Sequence, residues 1–194
     1  MTVAGSIKGS KTEQNLLKAF AGESQARNRY TFFASEARKA GFEQIAAVFE
    51  ETALNEKEHA KVFFKHLEGG DLEITATYPA GAIKDTRANL AAAAAGEKAE
   101  WGTIYPDFAR VARSEGFAEV AQSFEQIAKA EAFHEARYNK LGANLDKGEV
   151  FKRKTSVKWH CINCGYIAEG TEPPKICPAC KHPMAFYEVL AENW

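Results

Sequence analysis

Apolar side chains recur at three- and four-residue steps along most of the chain, from Lys11 to about Leu141. That period is typical of amphipathic α-helices, and it falls into four separate stretches. Short turns at Gly41 and Gly116 join the first stretch to the second and the third to the fourth. A longer segment, residues 69–84, has adjacent glycines and a proline and lies between the second and third. This order of connections predicts a mainly α protein, a four-helix bundle with one long crossover.

The two halves of this helical region repeat one another. Residues 15–23 match residues 89–97 at an offset of 74, whereas residues 41–59 match residues 116–134 at an offset of 75. One extra residue must therefore lie in the third helix. Pro106 lies in that same helix, where a proline removes a backbone donor. We predict a bulged or kinked turn near Tyr105 and Pro106, which would accommodate both features.

Glutamate and histidine interrupt the apolar faces of all four predicted helices. Two helices carry a Glu-x-x-His pair, and the other two carry a Glu at matching positions of the repeat. Residues three apart share a helix face, so these side chains converge in one core, where unpaired carboxylates would be costly. Iron or manganese ions would neutralise them, and this arrangement is the ligand pattern of di-iron and di-manganese bundles. The predicted ligands are Glu23, Glu56, His59, Glu97, Glu131 and His134.

Glu100 adds a carboxylate that the repeat does not require, because its counterpart is Ala26. One interpretation is a residue outside the ligand set or on the surface. The other, which we favour, is a seventh ligand that competes with an imidazole for one metal. A carboxylate favours the ferric ion and a neutral imidazole the ferrous ion, so such an exchange would follow the redox state.

The four cysteines form two Cys-x-x-Cys pairs near the end of the chain, which in a reducing compartment indicates a metal site rather than disulfides. The short tail that holds them cannot build its own hydrophobic core and needs such a site. Zinc and iron both accept four thiolates, and the spacing does not separate them. We divide the chain into a bundle (1–146), a linker (147–156) and a tail domain (157–194). The predicted tail ligands are Cys161, Cys164, Cys177 and Cys180.

Net charge and hydropathy limit the kinds of partner and the cellular location that we expect for this protein. Lys and Arg total 25 and Asp and Glu total 26, so the net charge of -1 gives no reason to expect nucleic acid or an anionic membrane. The longest apolar run, Leu90 to Ala95, is far too short to cross a bilayer. The first residues show no secretory signal, so we expect a cytoplasmic protein.

With both metal motifs in this order, and with Glu100 present, the sequence resembles the rubrerythrin family. Lys181 departs from the glycine usual in the second rubredoxin knuckle, which puts the hydrogen bonding around that pair of sulfurs in question. The resemblance implies a ferritin-like bundle followed by a rubredoxin-like domain, with a dinuclear iron centre and a mononuclear Fe(SCys)4 centre, where zinc could substitute. It further implies reduction of hydrogen peroxide to water in oxidative-stress defence. The partners implied are an external donor, a rubredoxin or an NAD(P)H-dependent reductase, and at least one further copy in a homodimer.

The resemblance also assigns roles to residues. Glu56 and Glu131 would bridge the irons, and Glu97 and His134 would complete one of them. Glu23 would complete the other, with Glu100 in the oxidised state or His59 in the reduced state. Glu100 and His59 would thus take part in catalysis, and Tyr30 and Tyr105 would either hydrogen-bond ligands and help to deliver protons or simply pack the core. The main alternative is a ferroxidase or iron-handling protein whose tail is a structural zinc-ribbon-like module; a di-iron oxygenase is another.

Overall fold

The computed structural model describes residues 5–193 and confirms the four-helix bundle, with the crossover between the second and third helices. The third helix consists of two α-helical parts joined by a π-helical segment, Glu100–Ile104. The α-helices are α1 (Lys11–Lys39), α2 (Glu43–Lys65), α3 (Thr86–Ala99), α4 (Tyr105–Ser114) and α5 (Ala118–Asp146).

Local residues determine where the helices begin and end. The Ser10 hydroxyl accepts a hydrogen bond from the backbone N–H of Glu13 at 3.0 Å, and Asp85 accepts one from Ala88 at 2.8 Å, so each caps a helix N-terminus. The turn after α1 passes through Gly41 in the left-handed region, with φ of 81°. A side chain would be strained there, and glycine lets the chain reverse directly into α2.

The π segment explains the repeat's change of offset. A π turn inserts one residue into a helix, which moves the repeat offset from 74 to 75 between α3 and α4. The predicted bulge is therefore present, although it ends just before Tyr105 rather than lying at the proline. Pro106 instead falls in the first turn of α4, where a missing backbone N–H is tolerated.

Two apolar clusters fill the bundle, one on each side of the interrupting carboxylates. One contains Tyr30, Phe49 and Tyr138, with the start of α2 and the end of α1. The other contains Tyr105 and Phe124, with the start of α1 and the end of α2. Because each cluster draws on repeat-related positions, the bundle has an approximate two-fold relation about the carboxylates.

The tail forms a small antiparallel sheet with strand order β2-β1-β3 and a 3₁₀ turn before the last strand. It contacts the start of α2, where the amide of Gln44 donates to Glu188 at 3.3 Å. In the linker before it, the ring of Phe151 stacks on that of Phe42 with centroids 6.0 Å apart. No helix among the described residues is long and apolar enough to cross a membrane. The strands are β1 (Val157–Cys161), β2 (Ile167–Gly170) and β3 (Tyr187–Val189).

Candidate metal centres

Ligand atoms from four helices converge in the middle of the bundle. The four carboxylates predicted from the singletons and the Glu-x-x-His pairs are all at most 1% exposed. Two overlapping groups have donor atoms within 4.8 Å of one another, and they share two glutamates, an arrangement that fits two metal ions with two bridging carboxylates. The first group is Glu23, Glu56, His59 and Glu131, and the second is Glu56, Glu97, Glu131 and His134.

The two histidines approach the shared glutamates closely. Nδ1 of His59 lies 2.9 Å from Glu56 Oε2 and 2.8 Å from Glu131 Oε1. Nδ1 of His134 lies 2.7 Å from Glu131 Oε2 and 3.3 Å from Glu56 Oε1. Despite these short distances, neither Nδ1 atom has a hydrogen-bond partner of acceptable geometry among the described residues. The nitrogens and oxygens thus gather around common points instead of pairing with one another.

The unsatisfied oxygens test whether metal ions fit this site. Both carboxylate oxygens of Glu56 and of Glu131, together with Oε2 of Glu23 and of Glu97, are buried with no hydrogen-bond partner among residues 5–193. Buried carboxylate oxygens without partners are strongly unfavourable. Six such oxygens and two imidazole nitrogens form a donor set that suits iron or manganese, so the residues fit a dinuclear centre.

Two tyrosines hold the remaining oxygens of the outer glutamates. Tyr30 donates to Oε1 of Glu97 and Tyr105 donates to Oε1 of Glu23, each at 2.5 Å. Both tyrosines are 1% exposed. Each bond occupies one carboxylate oxygen and leaves the other directed to the centre, which is how contacts behind a ligand orient it.

Burial and mutual charge change the protonation of the site. Burial raises the pKa of Glu23 well above its ordinary value, and the nearby carboxylate of Glu100 adds to the rise. Burial alone would lower the pKa of His59, but the carboxylates of Glu131 and Glu56 raise it to about 10. The same balance raises the pKa of His134 to about 9. Metal ions binding here would therefore displace protons.

Glu100 lies outside both ligand groups, at the start of the π segment. Its Oε1 lies 4.0 Å from the position that a Cβ on Gly22 would take, and Gly22 is next to the ligand Glu23 in sequence. Burial, with the charges of Glu131 and Glu56, raises the pKa of Glu100 to about 8. We call the buried glutamates Glu23, Glu56, Glu97 and Glu131 the carboxylate cage.

The indole N–H of Trp101, the residue after Glu100, donates to Glu135 Oε2 at 2.7 Å and ties the π segment to α5. This hydrogen bond has no periodic signal in the sequence and could not be predicted from it. The roles of Glu100 and His59 in ligand exchange stay predictions.

The four cysteines lie together in the tail, with all four sulfurs within 4.8 Å of one another. Sγ of Cys161 lies 3.8 Å from that of Cys180, and Sγ of Cys164 lies 3.7 Å from that of Cys177. Four sulfurs placed tetrahedrally about 2.3 Å from one ion would be about 3.8 Å apart. The cluster therefore fits a single tetrahedral metal.

Both knuckles of the tail turn backbone amides toward sulfur. Gly165 and Lys181 follow the second cysteine of each pair and have φ of 79° and 64°. The hydrogen bond from the backbone N–H of His182 is the main factor that lowers the pKa of Cys180, to about 5. Lys181 thus keeps the hydrogen bonding that its side chain put in question, and it does so in a conformation that L-residues seldom adopt.

Comparisons with known proteins agree with both centres. A family model described as "Rubrerythrin" matches residues 14–142, and one described as "Rubrerythrin, rubredoxin-like domain" matches residues 159–188. A rubrerythrin of Nitratidesulfovibrio vulgaris is 58% identical over 97% of this chain and 99% of its own, and one of Porphyromonas gingivalis is 60% identical over 97% and 94%. Among solved structures, fully reduced nigerythrin aligns with a TM-score of 0.64 at 32% identity, covering 98% of this chain and 94% of its own. The carboxylate–histidine and four-cysteine donor sets are consistent with the iron cofactors of these proteins, and the chain belongs to the rubrerythrin family.

Proposed function

We propose that this oxidoreductase-family protein reduces hydrogen peroxide to water at the bundle centre, with electrons relayed through the tail. The reaction breaks the O–O bond and combines one peroxide with two electrons and two protons to give two waters. A pair of irons supplies the redox chemistry for such a two-electron step when bound. The observation that carries the proposal is the presence, in one chain, of a carboxylate–histidine cage and a tetrathiolate site, since the latter suits one-electron relay.

The residues around the bundle centre indicate how the two metal positions are held and from which side a substrate reaches them. Glu56 and Glu131 are shared by both ligand groups and would hold the two positions together. The side chain of His59 is 15% exposed and that of His134 is 4% exposed, so the His59 side is the more open to a small substrate. Glu100 is half-buried at the start of the π segment, and the other residues of that segment, 101–104, are exposed. We therefore assign substrate approach to the side of His59 and Glu100.

The tail would accept electrons from outside. The side chain of Cys164 is exposed, so a donor could approach the tail's centre closely. We propose a rubredoxin or an NAD(P)H-dependent reductase as that donor, in the cytoplasm. A homodimer or larger assembly would place one chain's tail beside another chain's bundle centre.

Rapid mixing tests the proposal. The iron-loaded protein is reduced without oxygen and mixed with hydrogen peroxide or with dioxygen, while the visible ferric–thiolate colour of the tail is followed. We expect fast return of colour with peroxide and slow return with dioxygen. A matched Glu56→Ala variant removes a bridging carboxylate, keeps the tail's cysteines and should recolour slowly with peroxide.

Other outcomes identify the alternatives. Faster recolouring with dioxygen than with peroxide would contradict the proposal in favour of a ferroxidase or an oxygenase. A fully oxidised protein without colour would contradict the relay and favour a structural zinc tail.

A further inference from the structure

The approximate two-fold relation of the bundle is broken by three polar residues on one side of the metal centre. They belong to α2 and α5, and each lies three or four residues from a predicted ligand. At an offset of 75, their counterparts on the other side are all apolar. The polar residues are Thr52, Arg137 and Tyr138, and the counterparts are Ile127, Val62 and Phe63.

These polar groups connect the surface to the carboxylate cage. Glu51 is exposed and binds Nη1 of Arg137 at 2.9 Å. Nη2 of the same guanidinium donates to the hydroxyl of Thr52 at 2.7 Å, and that hydroxyl donates to the carbonyl of Val48 at 2.8 Å. Thr52 is fully buried and precedes Glu56 by one helical turn, so the two side chains are neighbours on one face of α2.

Two buried donors near Thr52 lack a well-formed hydrogen bond within residues 5–193. The hydroxyl of Tyr138 and Nε of Arg137 are buried with no hydrogen-bond partner in the described part of the chain. The ring of Tyr138 packs against that of Phe49 with centroids 5.1 Å apart, and Phe49 lies on the same face of α2 as Thr52, three residues earlier. Burial raises the pKa of Tyr138, and the Thr52 hydroxyl partly offsets that rise. Tyr138 differs in this from Tyr30, whose hydroxyl binds a carboxylate.

Unpaired buried donors of this kind are usually satisfied by ordered water. A buried water holds its place when it has two to four polar partners, and Tyr138, Arg137 and Thr52 supply that number. Arg137 is paired with Glu51, so the outer end of the cluster carries no uncompensated positive charge that would repel a proton.

We propose that Thr52, Arg137 and Tyr138 hold a buried water that passes protons from solvent to the cage at Glu56. This inference rests on the proposed function, because peroxide reduction consumes two protons for every two electrons. A proton would move from the surface to the water bound by Tyr138 Oη, and then through Thr52 Oγ1, whose hydroxyl rotates between the Val48 carbonyl and the side of Glu56. The apolar counterparts give the opposite side no equivalent set of polar side chains.

We call this route, formed by Thr52, Arg137, Tyr138 and the water, the proton inlet. Three matched variants of the iron-loaded protein test it. Thr52→Val removes the hydroxyl at nearly constant shape, Thr52→Ser keeps it, and Ile127→Val perturbs packing at the repeat-related position. A high-resolution crystal structure of the iron-loaded wild type should contain a water bound to Tyr138 Oη, which Thr52→Ser keeps and Thr52→Val displaces. Peroxide turnover should fall several-fold in Thr52→Val with a larger solvent deuterium isotope effect, at unchanged iron content, and should stay near wild type in the other two.

Each result bears on the inlet separately from the proposed function. Absence of the water from the wild-type crystal, or a Thr52→Val variant with wild-type turnover and isotope effect, would overturn the inlet. So would an equal loss in Ile127→Val, since packing would then explain it. A wild-type protein that does not turn over peroxide would contradict the proposed function instead, and the crystal would still decide whether the water site exists.

Discussion

Tyr105 donates a hydrogen bond to Glu23 at 2.5 Å from the first turn after the π segment. Phenylalanine at this position would leave Glu23 Oε1 without its donor and free the carboxylate to rotate. We expect Tyr105→Phe to lower the affinity of the bundle for Fe²⁺ by about 10–100-fold, measured by chelator competition. Tyr78→Phe is the control, because its hydroxyl binds the Lys18 carbonyl instead of a ligand. Equal affinities in Tyr105→Phe and wild type would contradict the orienting role.

Glu100 should matter for turnover more than for metal content. It lies outside both groups of converging donors, so Glu100→Ala should leave most of the iron bound. If it enters the ligand set during the reaction, peroxide turnover should fall about 10–100-fold. Iron analysis and rapid mixing of the same preparation measure both quantities. Unchanged turnover would rule out the exchange role.

Lys181 offers a test of stored backbone strain. Its φ of 64° lies in the left-handed region, which costs an L-residue about 1–2 kcal/mol and glycine almost nothing. We expect Lys181→Gly to stabilise the iron-loaded tail by about 1 kcal/mol, after allowance for glycine's greater freedom in the unfolded chain. Loss of visible colour in guanidinium reports the change. Ala179→Gly adds a glycine to the same knuckle without relieving a positive φ and should destabilise the tail.

Glu115 should make part of the bundle's stability depend on pH. Its carboxylate accepts hydrogen bonds from the Thr12 hydroxyl and from the first backbone amides of α1, and the Thr12 bond is the main factor that lowers its pKa below the ordinary 4.5. A lowered pKa adds stability above the ordinary value, and this stability disappears as the pH falls through the folded-state pKa.

Glu115→Gln should therefore cost about 1 kcal/mol near pH 6, and the difference from wild type should shrink below about pH 4. Urea denaturation at both pH values measures it. Glu73→Gln, on the exposed crossover, is the control and should show no such difference. A Glu115→Gln deficit that persists unchanged in acid would show that the carboxylate charge is not responsible.

The helices and the converging ligands could be predicted because each leaves a periodic mark. Glu56 and His59 interrupt an apolar stripe at helical spacing, and the repeat supplies an independent second copy of the interruption. A bulged turn in the third helix was also predictable, because the repeat offset rises by one residue between two matched helical segments. The exact position of the insertion could not be predicted. The proline suggested a bulge at Pro106, but in the structure Pro106 lies in the first turn of α4, where it is tolerated.

The contacts that complete the site leave no such mark. Trp101 donates a hydrogen bond to Glu135, and Arg137 donates one to Thr52. Each pair is far apart in sequence, and whether the two side chains meet depends on how the helices are rotated about their axes. The contact between Phe42 and Phe151 likewise depends on how the linker folds back against the start of α2. Lys181 differs from these contacts: the sequence put only the hydrogen bonding around the second cysteine pair in question, and the structure adds that its backbone is left-handed, like that of Gly165.

The π segment also determines what would be missing from a symmetric protein made of two copies of the first half of this chain. A chain built from two copies of the first half would carry Ala26 in place of Glu100 and a regular helix in place of the π turn. It would keep six ligands and both tyrosine–glutamate pairs, because Tyr30 and Glu23 would supply them twice. What it would lose is the Glu100 carboxylate, so the repeated half supplies a complete six-ligand bundle but not the additional ligand that we assign to the redox-linked exchange.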